Sequence, residues 1–306
     1  MNLQTHTPVP ADKGWRIWWQ LTRPHTLTAA FVPVLLGTAL AVKYTSVHLL
    51  LFLSMLIASL LIQAATNMFN EYFDYKRGLD NENSVGIGGA IVRNGVKSKT
   101  VLRLAFTFFA LALLLGVYIS ANSSWWIAVV GFISMATGYF YTGGPKPIAY
   151  SPFGELTSGV FMGVVIIQIS FFIQTGYISS ESMLVSIPVS ILIGTIMLAN
   201  NIRDLDGDKK SGRKTLAILF GRKNAILFLA SLFTLSYLWI ILLILVTDAS
   251  PWLFLTFISI PKALHAVKGF IGKTAPIEMM PAMKATAQTN TIFGFLMSIG
   301  IFIGYL

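Results

Sequence analysis

The sequence predicts an all-α, polytopic membrane protein, and three observations predict it. Hydrophobic residues make up 55% of the 306 positions and charged residues 11%, too little charge to cover a soluble globule of that size. The apolar residues fall into runs close to the roughly 20 that a spanning helix needs. The basic residues gather in alternate connections, the bias that orients helices in a bilayer.

Residues 1–25 precede the first apolar run and lack the charged stub, apolar core and small-residue site of a cleaved signal. Trp15, Trp18 and Trp19 are interspersed there with Arg16 and Arg23, as expected of an interfacial segment anchored at headgroup level on the cytoplasmic side. From residue 26 to 306 the chain reads as a single membrane domain of nine helices, at roughly 26–43, 47–73, 99–120, 123–142, 154–174, 183–203, 222–246, 249–268 and 286–306. No shift in composition marks a second domain.

With the N-terminus inside, the connections 44–47, 120–124, 175–182 and 247–250 face out and carry almost no Lys or Arg, Lys43 being the nearby case. Lys76, Arg77, Arg93, Lys97, Lys99 and Arg103 follow the second helix, and Arg203, Lys209, Lys210, Arg213 and Lys214 follow the sixth. Lys262, Lys268, Lys273 and Lys284 lie near the end, so an odd number of helices leaves the C-terminus outside. This bias, with anionic lipid, accounts for the net charge of +10 without nucleic acid. Cysteine is absent, which excludes thiolate catalysis, Cys-ligated metals and disulfides. The histidines are scattered, without metal-site spacing.

Polar side chains near the hydrocarbon boundary carry the chemistry, because carboxylates and amides are costly there. The second helix ends with Gln63, Asn67, Asn70, Glu71 and Asp74, which its apolar pattern does not need. On the sixth, Asn200, Asp204 and Asp208 recur at four-residue spacing, with Asn201 and Arg203 beside them. Both helices are even-numbered, so both clusters reach the same face. Crowded carboxylates repel unless cations compensate. Oxygen ligands without His or Cys suit Mg²⁺ rather than zinc or copper, and Mg²⁺ is commonly held by one or two carboxylates together with phosphate. Two such clusters, each followed by a Gly-containing loop, therefore predict a Mg²⁺ and diphosphate site. A solvated ion-pair network is the competing reading. The connector 75–98 reads as a cap over the site or a plain link.

The segments NEYFDYKRGLD (70–80) and NNIRDLDGDKKSGRKTLA (200–217) resemble the two aspartate-rich motifs of the UbiA superfamily of intramembrane prenyltransferases. LTRPHTLTAAFVPVLLG (21–37) and YTGGPKPIAYSPFGE (141–155) resemble its branch that acts on 1,4-dihydroxy-2-naphthoate. The resemblance implies a nine-helix cell-membrane enzyme whose active site opens to the cytoplasmic side. It implies transfer of a polyprenyl chain from polyprenyl diphosphate to that ring, with loss of CO2 and diphosphate, giving demethylmenaquinol for menaquinone biosynthesis. By position it makes Asp74, Asp204 and Asp208 the catalytic acids and Asn70, Asp74, Asp80, Asp204 and Asp208 the metal positions, with Asn200 and Asn201 in support. Two positions depart from the wider pattern: Glu71 stands where Asp is usual, and Gly78 stands four residues after Asp74, the next acid being Asp80.

For diphosphate contact the basic candidates are Arg93, Lys97, Lys209 and Lys214, against a simple role in orientation. Arg23 can take an acceptor carboxylate or anchor at lipid. Tyr139, Tyr141 and Lys146 border the Gly143-Gly144-Pro145 turn, as an aromatic wall for the acceptor or as part of an interfacial belt. Glu155 either supports its helix start or orients the acceptor. The alternatives are an aromatic prenyltransferase for another acceptor, such as 4-hydroxybenzoate, and an ion-coupled secondary transporter. The latter would place its acids near the bilayer midplane rather than at helix ends.

Overall fold

The computed structural model describes residues 13–80 and 89–305, and these are helical with no strand among them. Residues 1–12 of the interfacial segment and the middle of the 75–98 connector lie outside the described residues. A short helix, α1 (Trp15–Leu21), leads into α2 (Thr28–Ala41), α3 (Leu49–Lys76), α4 (Ser98–Asn122) and α5 (Trp126–Thr142). Then come α6 (Gly154–Thr175), α7 (Ser180–Lys210), the short α8 (Leu216–Phe220), α9 (Arg222–Val246), α10 (Pro251–Phe270) and α11 (Pro276–Gly304). Each of the nine apolar stretches falls on one of these helices. Seven are long and apolar enough to cross a membrane, whereas α2 and α5 are apolar but shorter.

Length positions the polar motifs. At 1.5 Å per residue, α3 with its 28 residues and α7 with its 31 run for about 42 and 46 Å, well beyond a hydrocarbon core of about 30 Å. Their last turns, which carry the acidic clusters, therefore extend past the apolar slab. α7 begins with a capping box, in which the Ser179 hydroxyl accepts from Ser182 N while Ser182 Oγ accepts from Ser179 N. Its C-terminal end has the clustered acids and, in the last turn, Lys209 and Lys210.

The centre of the bundle is built on α2 and α7, where Val32, Leu36, Leu192 and Leu198 are fully buried. Small residues let the backbones approach: a Cβ at Gly294 of α11 would lie 2.1 Å from Val32 Cγ1. A second cluster of Leu21, Met68, Phe69, Ala90, Ile91 and Val101 packs the connector after α3 against α3 and α4. α6 contains a π-helical stretch, Gly159–Val165. Such stretches leave local gaps in the helical ladder and often border functional sites. At the end of the bundle away from the acids, Glu181 accepts hydrogen bonds from Lys43 (3.0 Å), Tyr44 (2.6 Å) and Tyr305 (2.7 Å), tying α2, α7 and α11 together.

Candidate active site

The end of α3 is turned by Gly78, whose φ of 72° lies in the left-handed region that a glycine enters without strain. Leu79 N then donates to Asp74 O at 2.9 Å, and Asp80 N lies 3.4 Å from the same oxygen. The turn brings Asp80 back over Asp74, which gives a physical reason for an acid six residues after Asp74 rather than four. Burial, reinforced by the neighbouring Asp74 charge, pushes the Asp80 carboxyl up to about 6.

Glu71 does a different job. It is buried, and its carboxylate accepts from Gly89 N (3.0 Å) and Ile91 N (3.1 Å). These bonds fold the far end of the connector onto α3 and set Arg93 on the wall of the site. Gly89 has a φ of 84°, which side chains rarely adopt, and a Cβ there would lie 2.3 Å from Arg93 Nε, so a larger residue would be strained and would displace the arginine.

Opposite stands the last part of α7. Arg203 grips its neighbour Asp204 (2.7 and 2.5 Å), and its other nitrogen lies 2.9 Å from Met283 Sδ. Arg213, just beyond the helix, joins the two motifs: one nitrogen is 2.9 Å from Asp74 Oδ1 and another 3.0 Å from Asp208 Oδ1. Its guanidinium stacks over Tyr150 at 4.8 Å from the ring centroid. Asn201 donates to Glu155 Oε1 at 2.8 Å, so Glu155 acts on the site through this amide. Asn70 Oδ1 accepts from the Thr142 hydroxyl at 2.7 Å.

Between the two helix ends lies a polar chamber of about 410 Å³. Asn70, Asp74, Asp80, Asn200, Asn201, Asp204, Asp208, Arg93, Arg203 and Arg213 all line it, as do Arg23, His25 and Tyr141. Arg23 holds a φ of 51°, unusual for a residue with a side chain and a form of strain found at functional sites. Burial, then the Arg23 and Arg203 charges, lower the His25 imidazole to about 4, so the ring is neutral at physiological pH.

The chamber meets an apolar groove of about 220 Å³ that continues between α3, α4, α5, α6 and α7. Arg23, Thr26, Asn70, Tyr141, Met197 and Asn200 border both spaces. Along α3 the groove is lined from Asn70 to Met55, fifteen residues or about 22 Å of helix.

Not every predicted residue arrives. Lys97, Lys209, Lys214 and Lys146 are exposed and do not line the chamber. The reason is local: Lys97 precedes α4, Lys209 lies on the outward side of α7, and Lys214 leaves with the chain after Gly212. Tyr139 is packed edge-on against Phe69, Phe73 and Phe140, away from the chamber, while Tyr141 on the same helix reaches it. Arg213 and His25 were not singled out by sequence spacing. Arg213 lies within the 200–217 motif, but the aim of a loop side chain is not encoded in a helical period. His25 has no partner at metal-site spacing, and only the turn after α1 brings it to the wall.

The residues fit a hard divalent cation. Asp208 Oδ2 is buried with no hydrogen-bond partner, and the side chains around it offer oxygen. Among the described residues no three His, Cys, Asp or Glu side chains converge on one point. That arrangement suits an ion bound by one or two carboxylates and completed by phosphate oxygens.

The chain is similar to known proteins over most of its length. The model of the UbiA prenyltransferase family matches residues 30–276. A 1,4-dihydroxy-2-naphthoate octaprenyltransferase of Bacillus subtilis is 62% identical over 290 residues, covering 95% of this chain and 93% of that protein. The Mycobacterium tuberculosis protein of the same name is 28% identical over 94% of this chain and 98% of its own length. Among solved structures, a UbiA homolog from Aeropyrum pernix K1 superposes with a TM-score of 0.68 at 15% identity, covering 92% of this chain and 98% of that one. A UbiA homolog from Archaeoglobus fulgidus bound to DMAPP and Mg²⁺ superposes with a TM-score of 0.57 at 16% identity, over 92% and 99% of the two chains.

Proposed function

Because the chain belongs to the UbiA prenyltransferase family, we propose that it transfers a polyprenyl chain from polyprenyl diphosphate to 1,4-dihydroxy-2-naphthoate, releasing CO2 and diphosphate and giving demethylmenaquinol. The observation that carries this reading is the junction of a carboxylate- and arginine-walled chamber with an apolar groove. That form matches a donor with a charged head and a hydrocarbon tail. The choice of acceptor is supported by the name of the 62% identical relative.

In this reading the protein is a multi-pass cell-membrane enzyme with a single nine-helix domain, its N-terminus inside and its site open to the cytoplasm. The support is the uneven distribution of basic residues between alternate connections and the two acidic helix ends on one face. Mg²⁺ would be held by one or two carboxylates at a time among Asp74, Asp80, Asp204 and Asp208, with Asn70 beside them, and would supply positive charge to the departing diphosphate. Arg213 and Arg93 neutralise the rest of that charge, and the Asn200 and Asn201 amides orient the phosphate oxygens. Arg23, at the border of chamber and groove, receives the acceptor carboxylate as a planar fork, with Tyr141 beside it.

The chemistry then needs little from the protein beyond position and charge. The allylic C–O bond breaks, its electron pair leaving with diphosphate, and the ring carbon bearing the carboxylate forms the new C–C bond. The C–C bond to the carboxylate breaks in turn, and its electron pair restores the aromatic ring as CO2 departs. No proton has to be removed, so the chamber needs no general base. Positioning within a partly water-excluded site supplies the remaining advantage.

The test is direct. Membranes containing the protein receive a polyprenyl diphosphate with 1,4-dihydroxy-2-naphthoate and 4-hydroxybenzoate in competition, with and without EDTA. Prenylated naphthoquinol formed only with Mg²⁺ is the expected result. Preferential prenylation of hydroxybenzoate would replace the acceptor, and full activity in EDTA would remove the metal.

A further inference from the structure

The groove contains two glycines whose presence the fold does not require. Gly116 of α4 and Gly131 of α5 line it, and a Cβ at either would meet no heavy atom within 4 Å. Of the other described helical glycines only Gly207, at the chamber end of α7, is likewise open; by contrast a Cβ at Gly37 would lie 2.4 Å from Ile167 O, and at Gly138 2.7 Å from Thr66 Oγ1. Those glycines let neighbours approach. Gly116 and Gly131 have ordinary helical backbones, and a glycine inside a helix costs about 1 kcal/mol relative to alanine in water. What they provide is empty space in the groove wall.

Their position along the groove is informative. Gly131 lies ten residues from Tyr141, which borders the chamber, so it stands about 15 Å deeper along α5. That depth is close to half the thickness of a hydrocarbon core. Around the two glycines, Leu113, Val117 and Phe132 both line the groove and are exposed on the outer surface of the bundle, at 51%, 45% and 69%. A side chain that borders both an interior groove and the lipid-facing surface marks an opening between them.

We infer that Gly116 and Gly131 form a seam between α4 and α5 through which the tail of a long prenyl diphosphate passes from the groove into the bilayer, so that these two positions set the donor chain lengths the enzyme accepts. This rests on the function proposed above and deepens it by assigning the donor-length selectivity to particular residues. A short tail ends within the first part of the groove and makes no demand on the seam. A long tail has to cross it. Filling the seam therefore penalises long donors alone.

The experiment compares Gly131→Leu, Gly116→Leu and the wild type with geranyl diphosphate and octaprenyl diphosphate, each at saturating 1,4-dihydroxy-2-naphthoate. Gly131→Ala serves as a control for helix propensity. For each leucine variant the ratio of kcat/KM for octaprenyl to that for geranyl diphosphate should fall by about tenfold or more, the scale set by a few carbon atoms in an apolar site. Geranyl transfer should remain within about twofold of wild type, which shows at once that the variant is folded. An unchanged ratio overturns the inference, and so does an equal loss with both donors. The underlying reading fails differently: a wild-type protein that transfers neither donor refutes the prenyltransferase assignment before any variant is compared.

Discussion

The acidic ends of α3 and α7 look alike in sequence, each with an Asn four residues before an Asp, yet they spend their charges differently. On α7, Asp204 is held by Arg203, Asp206 by Arg222 and Asp208 by Arg213, so every acid has a guanidinium partner. On α3, only Asp74 has one among the described residues. Glu71 is used to pin backbone N–H groups of the connector, and Asp80 is supplied by a glycine turn instead of the helix. The common term is Arg213, which touches one acid from each motif. Similar motifs thus divide between charge for the ligand and support for the frame. The division can be tested residue by residue.

The largest effect should come from the acids that share Arg213. Asp74→Asn and Asp208→Asn should each lower kcat by about a thousandfold or more, comparable to losing a principal electrostatic stabiliser, with little change in melting temperature. If one variant retains near wild-type turnover, the motifs are not equal partners at the chamber. Removing the bridge comes next. Arg213→Ala should reduce kcat/KM by about a hundredfold, and Arg213→Lys should recover only a small part, because a single ammonium cannot span two carboxylates as the guanidinium fork does. Full recovery with lysine would show that net charge, not the bridge, matters.

Glu71→Gln should separate support from chemistry. One of its two buried acceptor contacts weakens or is lost, at a cost of about 1–3 kcal/mol, so melting temperature falls and the connector exchanges amide hydrogens faster. Activity should fall by only about tenfold, through displacement of Arg93 from the wall. A stable Glu71→Gln protein without activity would instead make Glu71 part of the reacting site. The smallest effect concerns pH. With the Asp80 carboxyl pushed up to about 6, a proton competes with a cation as pH falls below that value. The Mg²⁺ concentration for half-maximal rate should rise severalfold from pH 7 to 5 in the wild type and less steeply in Asp80→Asn, measured by initial rates across a Mg²⁺ series.

Much of the fold was legible because hydrophobic run length is a direct physical constraint. All nine predicted stretches coincide with helices, and the largest differences are extensions: α7 continues to Lys210 and α11 begins at Pro276, ten residues before the apolar run. On α7 the added turns are polar, where hydropathy no longer signals a helix; on α11 the added stretch, PIEMMPAMKA, is apolar but broken by Glu278, Lys284 and two prolines. The acids and asparagines of the site were legible for the same reason, since unpaired polar groups in an apolar helix need an explanation. The basic contacts were not. Lysines at this end of the bundle are abundant, and Lys97, Lys209 and Lys214 differ from Arg93 and Arg213 only in where the backbone carries them. Tyr139 and Tyr141 show the same limit within one helix, where two residues of separation send one ring into an aromatic cluster and the other to the chamber wall.

The six residues shared by chamber and groove, Arg23, Thr26, Asn70, Tyr141, Met197 and Asn200, mark a boundary between water and oil drawn in protein. A substrate cut at that boundary yields fragments that dissolve in different phases: diphosphate returns to the aqueous side, and the prenylated ring partitions into lipid. Separation of the products is then built into the geometry of the cut. The reverse reaction would have to recruit one partner from each phase at the same moment, so the forward direction is favoured by partitioning as well as by the loss of CO2.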